Sequence, residues 1–317
     1  MRLEHPVVRA AALAGCLGVL LAVYFAIARP WFRRWGATDA EVSMALPGDE
    51  IVPAATSRET RAITIATPAR YVWPWLAQIG QDRAGFYSYQ VLENLVGCEM
   101  PNVEWLDARL QHWKVGDKLW MYPPRKAGGI GFAVLKVFEP GRALGFATRA
   151  MAAPATASPD GSWSFVVEPI DGVSSRLLFR GRAIGPLHSF AAVFNVAVFE
   201  PVHFAMERRT MEGIKALAEG RKPSAVRDGV QVALWAILFV AFVVSGALVL
   251  AGRNVGHHLV TFTAAGLLFQ LLTLTQPSPF IGIALLLATV RPHALLRSYR
   301  RVTGGTVDEW SGREVRR

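Results

Sequence analysis

The segment "FEPVHFAMERRTMEGIKALAE", residues 199–219, sets acid, base and apolar groups side by side. Read as a helix, it puts Phe204, Met211, Ile214 and Ala218 on one face, with Glu207 three residues from Phe204 and four from Met211. A carboxylate at the edge of an apolar stripe can enter a pocket and move a proton, so Glu207 is the candidate catalytic acid or base. In "RLLFRGRA", residues 176–183, Arg180 and Arg182 share one strand face, opposite Phe179 and Gly181. A pair between Glu207 and one of these arginines across a pocket would hold a carboxylate or hydroxyl of a ligand. The competing reading puts both arginines on the outer sheet face or at a membrane surface.

The second candidate stretch is "VWPWLAQIGQDRAGFYSYQVLENL", residues 72–95. Trp73, Trp75, Phe86, Tyr87 and Tyr89 would give a pocket rigid apolar walls, and the tyrosine hydroxyls would orient a polar group. Gly85 lets the backbone turn tightly, and Asp82 with Arg83 could anchor the loop. The plainer alternative makes these rings core packing and Asp82-Arg83 a solvated corner. The candidate binding set is Trp75, Gln78, Phe86, Tyr87, Tyr89, Trp163, Arg180, Arg182, Phe204, Glu207 and Met211.

Metal and cofactor chemistry find no complete pattern, and neither is expected. Glu200 and His203 have the Glu-x-x-His spacing of a carboxylate di-metal site, without the second copy such a site needs. His257 and His258 are adjacent, hence on different helix faces. "GGIGFA" from Gly128 matches part of a dinucleotide fingerprint but runs into a strand where a helix is required. There is no serine elbow and no Cys-His arrangement.

The elements that must position these groups fall in one block, residues 36–222. "LPGDEIVP", residues 46–53, reads as a linker with turn residues and no periodicity. "TRAITIA", residues 60–66, predicts a strand, then a helix that Thr67 can cap with Pro68 at its first position. A second helix is expected from about Ser88 to Val96, stopped by Gly97. Strand signals follow from Asp117, Gly131, Ala143, Ser162 and Ser174, divided by turns, which predicts an antiparallel meander. The helix of residues 199–219 closes the block, with Glu219-Gly220 at its end.

Of the 317 residues, 52% are hydrophobic, too many for an ordinary soluble chain. No charge interrupts Ala10 to Ala28, nor the run between Asp228 and Arg253, and each is long enough to cross most of a hydrocarbon core about 30 Å thick. "AIA" at Ala26–Ala28 also fits a processing site, but the apolar core exceeds the roughly 7 to 15 residues of a signal peptide, favouring an uncleaved anchor. The uncharged run from Asn254 to Val290 contains Pro277 and Pro279 and could cross once or twice. Four divisions follow: an anchor at 1–30, the folded block at 36–222, membrane segments at 228–292 and a basic tail at 293–317.

Arg29, Arg33 and Arg34 after the first span, with Arg221, Lys222 and Arg227 before the second, place the block on the cytoplasmic side of the cell membrane. The arginine-rich tail wants the same side, which two crossings satisfy. Four crossings would put the block outside. The net charge of +10 gathers at these flanks and the tail, where anionic lipid attracts it, rather than in a stripe suited to nucleic acid. Cys16 lies in the first span and Cys98 in the block, so no disulfide is available within the block.

A strand, two short helices, an antiparallel meander and one long closing helix bury their faces most economically by curling the sheet around that helix. With "RAITIATPARYVWPWLAQIGQDRAGFYSYQVLENL", "SWSFVVEP", "RLLFRGRA" and "MERRTMEGIKALAE" in order, the chain resembles a membrane-associated branch of the SRPBCC superfamily, the START-like and polyketide-cyclase-like proteins. That resemblance implies an α+β helix-grip fold, its antiparallel sheet wrapped around the closing helix and flanked here by transmembrane helices, with a deep apolar cavity between sheet and helix. Three functions are then open: a tethered domain binding a hydrophobic small molecule, lipid or polyketide-like; a cyclase or dehydratase using Glu207 or a tyrosine; and a non-catalytic module of a membrane assembly, with a membrane-protein partner.

Overall fold

The computed structural model describes residues 5–126, 131–149, 158–185 and 190–288. The basic tail, the last residues of the final apolar run and the first glycines of "GGIGFA" lie outside them. The chain divides into two compact units, Ala22–Gly229 and, as the other, Met1–Leu21 with the residues from Val230 onward.

In the larger unit the sheet has six antiparallel strands in the order β1-β6-β5-β4-β3-β2. They are β1 Ser57–Ile65, β2 Lys118–Trp120, β3 Phe132–Glu139, β4 Ala143–Thr148, β5 Gly161–Pro169 and β6 Ser175–Ala183. Strands β2 to β6 form the expected meander, and β1 closes on β6 over nine residue pairs. This makes the unit α+β. A bulge between Leu135 and Val137 lets β3 keep both on the ladder to β4 while Lys136 turns outward.

Alternation gives the sheet two covered faces. Ile65, Leu135, Leu144, Phe146, Phe165, Val167, Leu177 and Phe179 form one core with the helices. Ala62, Ala143, Val166 and Leu178 face the other way and pack with Leu46. The stretch read as a linker therefore lies on the sheet. Gly48 has φ +95°, and a Cβ there would sit 2.1 Å from Ser164 Oγ, a close approach only glycine allows.

Helix α1, Pro6–Phe32, includes a π turn at Tyr24–Ala28 and enters the larger unit at Ala22. Helix α2, Asp39–Ser43, starts in a capping box in which Thr38 and Glu41 satisfy each other's backbone N–H. Helix α3, Ala69–Ala77, has Pro68 at its cap rather than inside it, and the Thr67 hydroxyl donates to the Ala66 and Ala218 carbonyls instead of capping. Helix α4, Gln90–Leu95, stops before Gly97, which turns the chain at φ +83°. Helix α5, Phe190–Phe194, runs through a π turn, Asn195–Phe199, into the closing helix α6, Glu200–Ala218. Gly213 in α6 meets the loop between α3 and α4 so closely that a Cβ would stand 2.4 Å from the Tyr87 carbonyl oxygen.

In the smaller unit, helices α7, Ala225–Leu250, and α8, Val255–Thr275, are long and apolar enough to cross a membrane, as is α1. A short apolar helix α9, Pro279–Ala288, follows. Gly266 accepts Leu20 at a distance no Cβ would tolerate, and Phe242 stacks on Phe262 at 4.2 Å. Polar groups inside are used between helices: Gln270 Nε2 donates to the Leu20 carbonyl at 3.3 Å, and Gln231 Nε2 to that of Pro277 at 2.7 Å.

Candidate functional site

The register of β1 aligns Arg61 with Ile63 and Ile65, on the face that meets α6. Arg61 is 1% exposed and spends its donors in three directions: Nη1 to Glu207 Oε1 at 2.8 Å, Nη2 to Glu59 Oε2 at 2.6 Å and Nε to the Phe32 carbonyl at 3.1 Å. Burial opposes its charge, and the two carboxylates outweigh burial, holding its pKa above the ordinary value.

Glu207 therefore finds a cation on β1, and the pair with Arg180 or Arg182 that the strand geometry allows does not form. Both of those arginines occupy the outer sheet face. Arg180, 1% exposed, donates to Thr60 Oγ1 at 3.1 Å, to Asp49 Oδ2 at 2.8 Å and to the carbonyls of Glu41, Val42 and Met44. It holds residues 41–49 against the sheet. Burial lowers its pKa, with Asp49 working the other way.

The second Glu207 oxygen accepts from Trp163 Nε1 at 3.0 Å. Both Glu207 oxygens thus accept from fixed donors, which orients the carboxylate between β1, β5 and α6. His203 Nδ1 stands 3.7 Å from Glu207 Oε2 and 3.9 Å from Glu59 Oε1. Gly181 makes this possible: paired with Glu59 on β1 and Trp163 on β5, it has no side chain, and a Cβ would lie 2.9 Å from Glu59 Oε1. Unlike Arg61 and Glu207, Glu59 and His203 are half-buried, with 20% and 28% of their side chains exposed.

Aromatic rings join this charged cluster to the surface. Phe86 stacks on Trp163 at 6.1 Å, Trp163 meets His203 at 5.4 Å, and His203 stacks on Phe199 at 5.5 Å. Along this row exposure rises from 7% at Phe86 to 53% at Phe199. Of the expected binding residues, Phe86, Trp163 and Glu207 come together here.

The others pack elsewhere. Phe204 lies among Trp31, Phe32 and Trp35 under the Arg61 guanidinium. Trp75 meets Tyr87 edge-on. Gln78 is saturated: its amide donates to Tyr87 Oη and the Trp105 carbonyl, and its oxygen accepts from Asp107 N and Gln111 Nε2. Tyr89 is buried beneath Arg209, and burial raises the pKa of both the Tyr87 and Tyr89 hydroxyls. Arg83 donates to the Ala77 and Leu110 carbonyls and covers Trp113, so it anchors the loop, while Asp82 is exposed. Gly85, at φ +85°, leaves room for Asn102 that a Cβ would fill.

The implied deep cavity is occupied by side chains where the described residues form it. Ile65, Phe146, Phe165, Leu177, Phe204, Met211 and Ile214 have no accessible area, so no void large enough for water borders them. An open groove of about 420 Å³ lies instead on the outer face, with Met44, Ile170 and Leu178 between Glu41, Glu168 and Arg176.

Glu59, His203 and Glu207 present ligand atoms within 4.8 Å of one another, a spacing that could hold a metal ion. Arg61 already supplies a cation to both carboxylates, so the trio fits a metal poorly. Glu207 was legible from its helical position; Arg61 carried the same kind of signal, a charge in phase with Ile63 and Ile65. Glu59 has the same phase but lies before the expected start of the strand, and His203 stood out only for its spacing from Glu200.

No family model and no curated protein matches the chain. Among solved structures it is similar to a protein of Mesorhizobium loti, with a TM-score of 0.28 and 14% identity over 52% of this chain and 100% of that one. An uncharacterized protein of Bacillus thuringiensis gives 0.29 and 16%, over 52% and 98%. A polyketide-cyclase-like protein of Corynebacterium glutamicum gives 0.24 and 16%, over 51% and 85%.

Proposed function

We propose that the chain is a membrane-tethered protein of the SRPBCC type whose domain, residues 36–222, binds a hydrophobic small molecule. Segments 1–30 and 228–292 hold it to the cell membrane, and the arginines flanking the first two spans favour a cytoplasmic domain. An antiparallel sheet closed by a long final helix supports the fold assignment, and three helices of spanning length support the tether.

The observation that carries the binding role is the aromatic row from Phe86 to Phe199, which passes over a polar cluster with two half-buried members. Rings in sequence offer an apolar molecule a continuous contact surface, and Glu59 and His203 offer its polar end a partner. The cluster also selects that end. Two carboxylates share one arginine, which leaves the site with more carboxylates than arginines among the described residues. A carboxylate ligand is repelled, and a hydroxyl or amine that can donate to Glu59 is favoured.

Native mass spectrometry of the full chain in mild detergent tests this with three probes of equal chain length: dodecanol, dodecylamine and dodecanoate. Expected are one-to-one complexes with the alcohol and the amine that weaken in Glu59→Gln, and none with the acid. Equal binding of all three, or binding indifferent to Glu59→Gln, would remove the proposed site.

A further inference from the structure

The larger unit carries an apolar surface that the aromatic row alone does not explain. Phe25 and Ile27 on α1, and Phe194, Val198, Phe199 and Val202 along α5, its π turn and α6, are each at least 44% exposed. An exposed patch of large apolar side chains marks a contact surface.

The polar groups of these two segments point at each other. Tyr24 Oη donates to the Val196 carbonyl at 2.5 Å, and Arg29 makes a two-pronged pair with Glu200 at 2.7 and 3.0 Å. A carbonyl in a π turn and two opposite charges are thereby satisfied internally, as backbone and charged groups near hydrocarbon must be. The uncharged run on α1 ends at Ala28, and Trp31, half-exposed, is followed by Arg33 and Arg34, the order of ring and base found at a membrane interface. Upstream the same helix continues outward-facing apolar residues, Leu17, Val19 and Leu21, into its spanning part.

We infer that the face of residues 193–202 is seated with that of residues 22–31 of α1 in one leaflet of the bilayer, adding a second lipid attachment to the α1 span. Continuity with α1 selects lipid over a second copy of the chain as the occupant. Phe199 belongs both to this strip and to the ring row, so the outer end of the row opens on hydrocarbon and a membrane-dissolved ligand reaches it sideways. This rests on the reading of α1 as a membrane span.

Site-specific quenching separates the two. In a background of Cys16→Ala and Cys98→Ala, single bimane labels at Val19→Cys, Val198→Cys and Val173→Cys are followed in vesicles of phosphatidylcholine and phosphatidylglycerol. Val173, in the β5–β6 turn, is the water control. Expected is quenching of the Val19 and Val198 labels by brominated acyl chains with shielding from iodide, and the reverse for Val173. Quenching of Val198 by iodide with Val19 still lipid-quenched overturns the seated strip and leaves the tether. Iodide quenching of both overturns the tether reading too. Shielding of Val198 from both quenchers, with a cross-linked dimer, makes a second copy the occupant and also overturns it.

Discussion

Arg61 on β1 and Glu207 on α6 meet at 2.8 Å, 146 residues apart in sequence, with 1% and 2% of their side chains exposed. This pair is a buried ionic link between the sheet and its closing helix, beside the hydrogen bond from Trp163 to the same carboxylate. Removing one partner strands a buried charge, which costs about 3–5 kcal/mol. Arg61→Met should therefore lower the unfolding free energy of the larger unit by that order, and the double variant Arg61→Met, Glu207→Met should recover much of it. Denaturant titration of the full chain in detergent measures both; a change below about 1 kcal/mol in the single variant would deny the pair its role.

The outer face has its own test. Arg180 fills all its donor positions while holding residues 41–49, whereas Arg182 makes a looser contact with Asp49 at 3.4 Å. Arg180→Met should destabilise by about 3–5 kcal/mol, through the orphaned Asp49 and carbonyls, and Arg182→Ala by no more than about 1 kcal/mol. Neither should change the preference between dodecanol and dodecanoate, because neither residue faces the ring row.

Gly213 opposes two effects of known size. Alanine is the better helix former by about 1 kcal/mol. Its methyl would stand 2.4 Å from the Tyr87 carbonyl oxygen and 2.7 Å from the Tyr87 Cβ. Overpacking of that kind costs about 1–3 kcal/mol, so the steric term should win and Gly213→Ala should be destabilising. A stabilised variant, by thermal unfolding, would show that the α6 contact with the Tyr87 loop is loose.

Glu93 supplies a pH dependence. Burial raises its pKa from 4.5 to about 7, and its Oε2 has no hydrogen-bond partner among the described residues. The folded state therefore keeps the proton after the unfolded chain has lost it. The contribution is complete below pH 4.5 and is lost as pH rises through about 7, at roughly 1.4 kcal/mol per pH unit. Glu93→Gln should flatten this part of the stability profile and be more stable than the parent at pH 8. Parallel profiles would place the burial penalty elsewhere.

Much of this was legible in the chain. Alternating strands read clearly because period two is local, and the closing helix declared itself by Phe204, Met211 and Ile214. β1 began three residues before its expected start because Ser57 to Glu59 are polar, and their pairing comes from β6. "LPGDEIVP" read as a linker because its packing depends on Gly48 reaching Ser164, a contact with no periodicity. Arg180 lay opposite Phe179, and that phase already favoured the outer face once Phe179 was core. Saturation of Gln78 depends on Trp105, Asp107 and Gln111, about thirty residues further on, and leaves no local trace.

The location of the binding site is tested most directly by a twelve-carbon alcohol bearing a diazirine, photolysed with the full chain in membranes and mapped by peptide mass spectrometry. Expected is saturable labelling within reach of Phe86, Trp163, His203 and Phe199, displaced by dodecanol and lost in Trp163→Ala. Labelling confined to α7 and α8, or labelling of the ring row that dodecanol does not displace, would contradict it.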